Sequence, residues 1–153
     1  MAGRFYEELE VGAVFEHAMR RTMTESDNVL YCSLTMNLQP AYLDYAAAAE
    51  TEWGKPQVHP LLVLSTIIGM HVPEMTAGTT HGNLGMTDVE YPNPVFYGDT
   101  LRSRTTVRSK RLSKSRPGTG VVIFRQEGRN QRDEVVIAFD RAGFMLLRDH
   151  ASA

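Results

Sequence analysis

The residues best equipped for chemistry fall within one short stretch, MNLQPAYLD, residues 36–44. Asn37 and Gln39 are primary amides, which can hold a carbonyl or orient a water but cannot take up a proton. Tyr42 is a phenol with an unperturbed pKa of about 10, so at neutral pH it is an acid and a poor base. Pro40 suits a turn or the first residue of a helix. The stretch therefore reads either as a loop that holds a substrate carbonyl or as a turn whose amides bond their own backbone. A further candidate is His59, placed just before Pro60 and the apolar run LLVLSTIIGMHV (61–72). Its imidazole can cap the helix that begins there or face a ligand. The other histidines, His17, His71, His81 and His150, share no ligand spacing, and one cysteine, Cys32, cannot form a cysteine cluster. No metal site is expected.

These residues need elements to position them. Phe15, His17, Met19, Arg21 and Met23 alternate with Glu16, Ala18, Arg20 and Thr22, the period of a strand. TESD (24–27) offers Thr24 or Ser26 as a helix cap, with Asp27 in the same cap. The short helix that follows is expected to carry Val29, Leu30 and Leu34 inward and to stop near Thr35. YLDYAAAAETEW (42–53) predicts a second helix, with Asp44 as a solvated position and Gly54 as its C-terminal stop. Pro60 opens a third helix, apolar nearly all round from Leu61 to Val72 and so enclosed by protein, with Pro73 ending it. Turn signals at YPNPVFYGD (91–99), RPGTG (116–120) and RNQRDE (129–134) then separate strands over 82–91, 100–114, 120–129 and 134–148. A run of antiparallel strands around one apolar helix is an α+β arrangement.

Composition sets the outer bounds. At 153 residues, 42% apolar and 22% charged, the chain reads as one soluble globular domain, residues 1–153. Its net charge of −2 gives no general attraction to nucleic acid or an anionic membrane. MAGRFYEELEVG lacks a secretory pattern and the longest apolar run is too short to span a bilayer, so a cytoplasmic setting is expected. Seven of the Lys and Arg residues lie between Arg102 and Arg116. They read first as the solvent face of a strand and its turn. A sharper reading gives Arg102, Arg104, Arg108 and Lys110 an anionic ligand.

Four segments in order, FYEELEVGAVFEH, TESDNVLYCSLTMNLQP, VHPLLVLSTIIGM and LGMTDVEYPNPVFYGDTLRSRTTV, resemble the MaoC-like hydratases and dehydratases of acyl-CoA thioesters. The resemblance runs from about residue 5 to residue 148. Within that family the chain is most similar to the mesaconyl-CoA (β-methylmalyl-CoA) hydratases, which share the Thr-Met-Asn-x-Gln-Pro stretch. It implies a hotdog fold, an antiparallel sheet wrapped around a central helix at about 60–72. It also implies a homodimer or a heterodimer with a related chain, and no cofactor beyond the coenzyme A of the substrate itself. The cationic side chains of Arg102, Arg104, Arg108 and Lys110 would then face the coenzyme's phosphates.

The same resemblance assigns roles. In the family an Asp-x-Asn-Pro-x-His pattern holds a water between Asp and His, one accepting and one donating a proton. Here Asn37 falls at the Asp, Gln39 at the Asn, Pro40 on the Pro and Tyr42 at the His. A backbone N–H at the start of the central helix grips the thioester oxygen in the family. This chain has Pro60 there, which carries no N–H, leaving the amides of Leu61 and Leu62. A serine of some relatives appears as Ile68. Tyr42 is thus the expected acid, Asn37 and Gln39 the positioning amides, Pro40 part of the binding loop, and His59 the remaining base. Two function classes follow: a hydratase/dehydratase with a modified site, acting on a C4–C5 branched dicarboxylic thioester, or a catalytically silent acyl-CoA-binding subunit. A thioesterase would need a carboxylate near the helix start, and none stands out.

Overall fold

A computed structural model of the protein describes residues 3–150. The chain runs β1 (Val14–Thr22), α1 (Glu25–Thr35), α2 (Pro40–Leu43), α3 (Tyr45–Ala49), α4 (Pro60–Met75), β2 (Thr80–Glu90), β3 (Thr100–Leu112), β4 (Thr119–Arg129) and β5 (Val135–Leu146). The strands form one antiparallel sheet in the order β1-β3-β4-β5-β2. All four strands expected after the long helix are present, with ends shifted by at most two residues. In β1 the expected alternation breaks at a bulge between Glu16 and Arg20, which leaves Met19 exposed beside buried His17.

Helix α4 packs on one face of this sheet. Val63, Leu64, Ile67 and Met70 meet Leu101, Val136, Ile137 and Phe139 in one cluster. Met75, at the far end, enters a second with Val107, Val122, Phe124 and Met145. The approach is close enough that Gly128 on β4 has no room for a side chain: an added Cβ would sit 2.6 Å from Ile67. Glycine there is a packing requirement.

Several sequence expectations are corrected. Pro73 does not end α4, which continues to Met75. Only the last turn loses a ladder bond, and the full burial of Met75 favours the continuation. Nor is α4 enclosed on all sides, since the sheet covers one face while Leu61, Ser65, Gly69 and Val72 form an exposed stripe. The helix expected over 42–53 is broken at Asp44, whose carboxylate accepts the Ala46 and Ala47 N–H groups and starts α3 anew. It ends at Ala49, although Gly54 does adopt the left-handed conformation (φ 66°) in the turn beyond. Helix α1 is rotated relative to expectation: Asn28 and Cys32 face inward, while Val29, Leu30 and Leu34 are exposed. Thr24 is the α1 cap, with Asp27 completing a capping box. Among the described residues no helix is long and apolar enough to cross a membrane.

Candidate active site

Three of the residues singled out from the sequence meet at the head of α4. Met36 ends α1 in the left-handed conformation (φ 57°), and the Asn37 N–H closes the turn on the Cys32 carbonyl. That turn delivers the Asn37 amide to 2.6 Å from His59 Nε2. The ring of Tyr42, from α2, lies 4.8 Å from the His59 ring between centroids, and Tyr31 of α1 flanks the same ring at 5.1 Å. Tyr91 stands close by: burial raises its phenol pKa, and the Tyr31 and Tyr42 phenols raise it further.

The residue that holds this arrangement was missed in the sequence. Asn28 is fully buried. Its Oδ1 accepts the His59 N–H at 2.7 Å, and its Nδ2 donates to the Tyr42 carbonyl at 3.0 Å and the Gln57 carbonyl at 3.3 Å, with Tyr97 Oη at 3.1 Å. Tyr97 Oη in turn donates to the Tyr42 carbonyl at 2.7 Å. One amide thus ties α1, α2 and the segment leading into α4 together. The available signal was the stripe Asn28, Tyr31, Cys32, Thr35, which has helical spacing and a polar start.

His59 is the N-cap of α4, and this fixes its chemistry. The Leu61 N–H donates to His59 Nδ1 at 3.1 Å. Nδ1 must therefore carry a lone pair, which leaves the proton of a neutral ring on Nε2. Nε2–H then donates to the Asn37 amide, which presents its oxygen, since the two ends of an amide interchange by rotation. The 3.3 Å contact from the Gln39 N–H to Asn37 Oδ1 is the long, weak one that this rotation gives up. Burial holds the imidazole pKa below its ordinary 6.5, so the ring is neutral at pH 7. His59 accordingly offers a donor toward the cluster, not the base expected from the sequence, because its lone pair already belongs to the helix.

The expected oxyanion donors are also in use. The Leu61 amide serves His59 Nδ1, and the Leu62 amide donates to the His59 carbonyl at 3.0 Å. Pro60 contributes none. The His59 Nε2–H is also engaged, by the Asn37 side chain, but that partner is a side-chain amide free to turn aside. Tyr42 is held above its ordinary value by burial, then by the neighbouring Cys32, so its phenol is protonated at neutral pH. Gln39 and Pro40 are exposed, and the Gln39 side chain makes no hydrogen bond among the described residues. Among the described residues no carboxylate hydrogen-bonds to Asn37, Tyr42 or His59; Asp27 is occupied by Thr24 and Arg21, and Asp44 by its own helix.

The basic stretch on β3 lies elsewhere. Leu101, Ser103, Thr105 and Val107 face the core, so Arg102, Arg104 and Arg108 emerge on the opposite side. Arg102 pairs with Asp133, Arg104 with Glu16 and Arg108 with Asp140, while Lys110 donates to the Tyr6 carbonyl and covers its ring. Each of the four cations proposed for phosphate contacts already has an intramolecular partner. No group of three His, Cys, Asp or Glu side chains arranged to hold a metal ion occurs among the described residues.

Beside the site, between α1, β1 and α4, is a cavity of about 560 Å³ that reaches Tyr31 and Leu62. Its walls are mainly aliphatic and thioether side chains, the surroundings of a small-molecule pocket.

Comparison with known proteins agrees with this architecture. A family model described as mesaconyl-CoA hydratase matches residues 1–153. The mesaconyl-CoA hydratase of Cereibacter sphaeroides is 31% identical, covering 99% of this chain and 43% of that protein. The beta-methylmalyl-CoA dehydratase of Chloroflexus aurantiacus is 32% identical over 96% of this chain and 41% of that protein. The chain thus spans about two fifths of the length of these curated relatives. A Mycobacterium tuberculosis structure described as a double hotdog fold superposes with a TM-score of 0.86 at 26% identity, covering 97% of this chain and 46% of that one. With its curled antiparallel sheet and central helix, the chain belongs to the mesaconyl-CoA hydratase family of MaoC-like hotdog proteins.

Proposed function

We propose that the chain is a hydratase/dehydratase of CoA thioesters, adding water reversibly across an α,β double bond. The observation that carries this reading is the meeting of Asn37, Tyr42 and His59 at the head of α4, in a chain matched by the family model over its whole length. His59 Nε2–H, exchanging its bond to Asn37 for the incoming thioester carbonyl, takes the place of the backbone donor that Pro60 removes and polarises that carbonyl. A neutral imidazole held by a helix N-terminus is well suited to this, because it donates a hydrogen bond without surrendering its proton. Asn37 orients the ring or the water.

Proton transfer then falls to Tyr42. Its phenol gives a proton to the α-carbon as water oxygen adds at the β-carbon, and the phenolate so formed takes the proton that the water must lose. The reverse sequence expels water, and the tyrosine ends each cycle as it began. General acid–base participation of this kind contributes about 10²–10⁴ in rate. Purified protein incubated with crotonyl-, mesaconyl- and itaconyl-CoA is expected to consume the conjugated double bond of at least one of them. Tight thioester binding without turnover would contradict the reading.

A second reading is favoured by one specific observation: no carboxylate and no free imidazole lone pair serves the cluster among the described residues. The chain would then be a silent acyl-CoA-binding unit, paired with a hotdog chain that carries its own proton acceptor. The exposed stripe on α4 and exposed Leu84, Met86 and Val89 on edge strand β2 support pairing with a second hotdog unit under either reading. Turnover that appears only after a sibling chain is added would select this alternative.

A further inference from the structure

We propose that the inner face of the sheet beneath the tail of α4 holds one small inorganic anion, a halide, on the side chains of Arg141 and Gln126. The two apolar clusters along α4 are separate: the one near its head includes Ile137 and Phe139, and the one near its tail includes Val107 and Phe124. A polar seam runs between them. Thr105 of β3 pairs with Gln126 of β4, and Phe124 of β4 pairs with Arg141 of β5. Ser103, Gln126 and Arg141 therefore follow one diagonal across three strands. His71 lies over the seam, bonded to Thr105 and packed edge-on against the Phe124 ring. The Arg141 charge is close enough to help hold the His71 pKa down.

The seam carries a net positive charge. Arg141 is only 6% exposed. Burial brings its guanidinium pKa down to about 10, so it stays cationic at neutral pH. Among the described residues no carboxylate pairs with it. Asp140, the preceding residue, points to the opposite face of the sheet and is taken by Arg108 and Arg125. Glu74 is taken by His17 and the Ala18 N–H. A buried charge without a counter-charge is among the costliest groups a fold can carry. An anion beside the guanidinium removes that cost, which a neutral filling of the seam would not.

The hydrogen-bonding groups point the same way. Arg141 Nε, Ser103 Oγ, His71 Nε2 and both ends of the Gln126 amide are buried without a partner among the described residues. They make up five of the seven such side-chain atoms, so the shortfall is concentrated in one place. The guanidinium N–H and the Gln126 NH2 are donors only, the pair of groups that suits an anion. The Gln126 oxygen is left to accept the hydroxyl of its diagonal neighbour Ser103. Ser103, Gln126 and His71 are each 1% exposed or less, so the seam is closed to solvent and suits a single atom better than an organic acid.

The test is urea unfolding of the full chain at constant ionic strength, with gluconate replaced stepwise by chloride. A bound halide should raise the folded-to-unfolded ratio about tenfold for each tenfold rise in chloride above its Kd. Arg141→Met and Gln126→Leu should each abolish that dependence. Crystals of the unaltered protein grown in bromide should show one anomalous peak beside Arg141 and Gln126, a result that stands even where a variant does not fold. Stability indifferent to chloride, with no bromide peak in the seam, would overturn the proposal and leave internal water as its filling. Stability that rises with protein concentration instead of chloride, together with an Arg141→Met chain that no longer assembles, would overturn it too. The counter-charge would then be a carboxylate of a second chain.

Discussion

Histidines stand near both ends of α4, and the two ends use them in opposite ways. At the head, His59 caps the helix through Nδ1 and turns Nε2 toward Asn37, with Tyr31 and Tyr42 on its faces. Toward the tail, His71 is fully buried against Phe124, at 5.1 Å between ring centroids. There the side chains form one linked set. His17 Nδ1 lies 2.9 Å from the Glu74 carboxylate and so carries a hydrogen. His17 Nε2 and His71 Nδ1 both meet the Thr105 hydroxyl, at 2.8 and 3.0 Å. His71 Nε2 is left buried with no partner among the described residues. One presents Nε2 to Asn37 between two tyrosine rings; the other is enclosed by the core. A histidine becomes chemically useful here through which nitrogen the scaffold consumes, since burial lowers the pKa of both.

Substitutions can break this contrast, beginning with the largest effect. Tyr42→Phe should lower kcat by about 10²–10⁴ while the Kd for a saturated acyl-CoA stays the same, as read by steady-state kinetics and titration. His59→Ala should lower kcat/KM by about 10²–10³ and reduce stability by only about 1 kcal/mol, the worth of a helix cap. His71→Ala should show the reverse: about 2–3 kcal/mol lost in urea unfolding, with kcat and KM of the folded protein unchanged. If His71→Ala abolished activity at full stability, the division of roles between the two ends would be wrong.

The smallest effect is one of pH. Burial, then the nearby Arg141 and His17, hold the His71 pKa well below 6.5. The folded chain therefore keeps His71 neutral while the unfolded chain protonates it near its ordinary value. Its contribution is complete above about 6.5 and is lost as pH falls from there toward the folded value, with a slope of at most about 1.4 kcal/mol per pH unit. His71→Leu should flatten that part of the stability profile, measured as the urea midpoint against pH. His59 shifts in the same direction, so the acid limb of kcat/KM should lie below 6.5.

Much of the frame was legible in the residues, for reasons that also mark where reading stopped. Alternation and turn residues gave the strands after α4, and Pro60 marked its start, because these signals are local. The facing of α1 was not legible: Leu30 and Leu34 have the apolar character of core residues, but four hydrogen bonds to Asn28 decide which side turns inward. The break at Asp44 went unseen because the alanine run around it favours a helix, while the aspartate's own capping bonds restart it. Asn37, Tyr42 and His59 were drawn together by family resemblance, and the coordinates bring them into contact. The role of His59 could not be read from sequence at all, since it depends on which nitrogen the Leu61 amide occupies.

That nitrogen is directly observable. A long-range 1H–15N correlation spectrum of histidine-labelled protein at pH 7, with and without butyryl-CoA, would report the tautomer of each ring. His59 is expected to be protonated at Nε2, with thioester binding shifting the His59 Nε2–H resonance and leaving the His71 ring unchanged. A His59 ring protonated at Nδ1, or one untouched by the thioester, would contradict it.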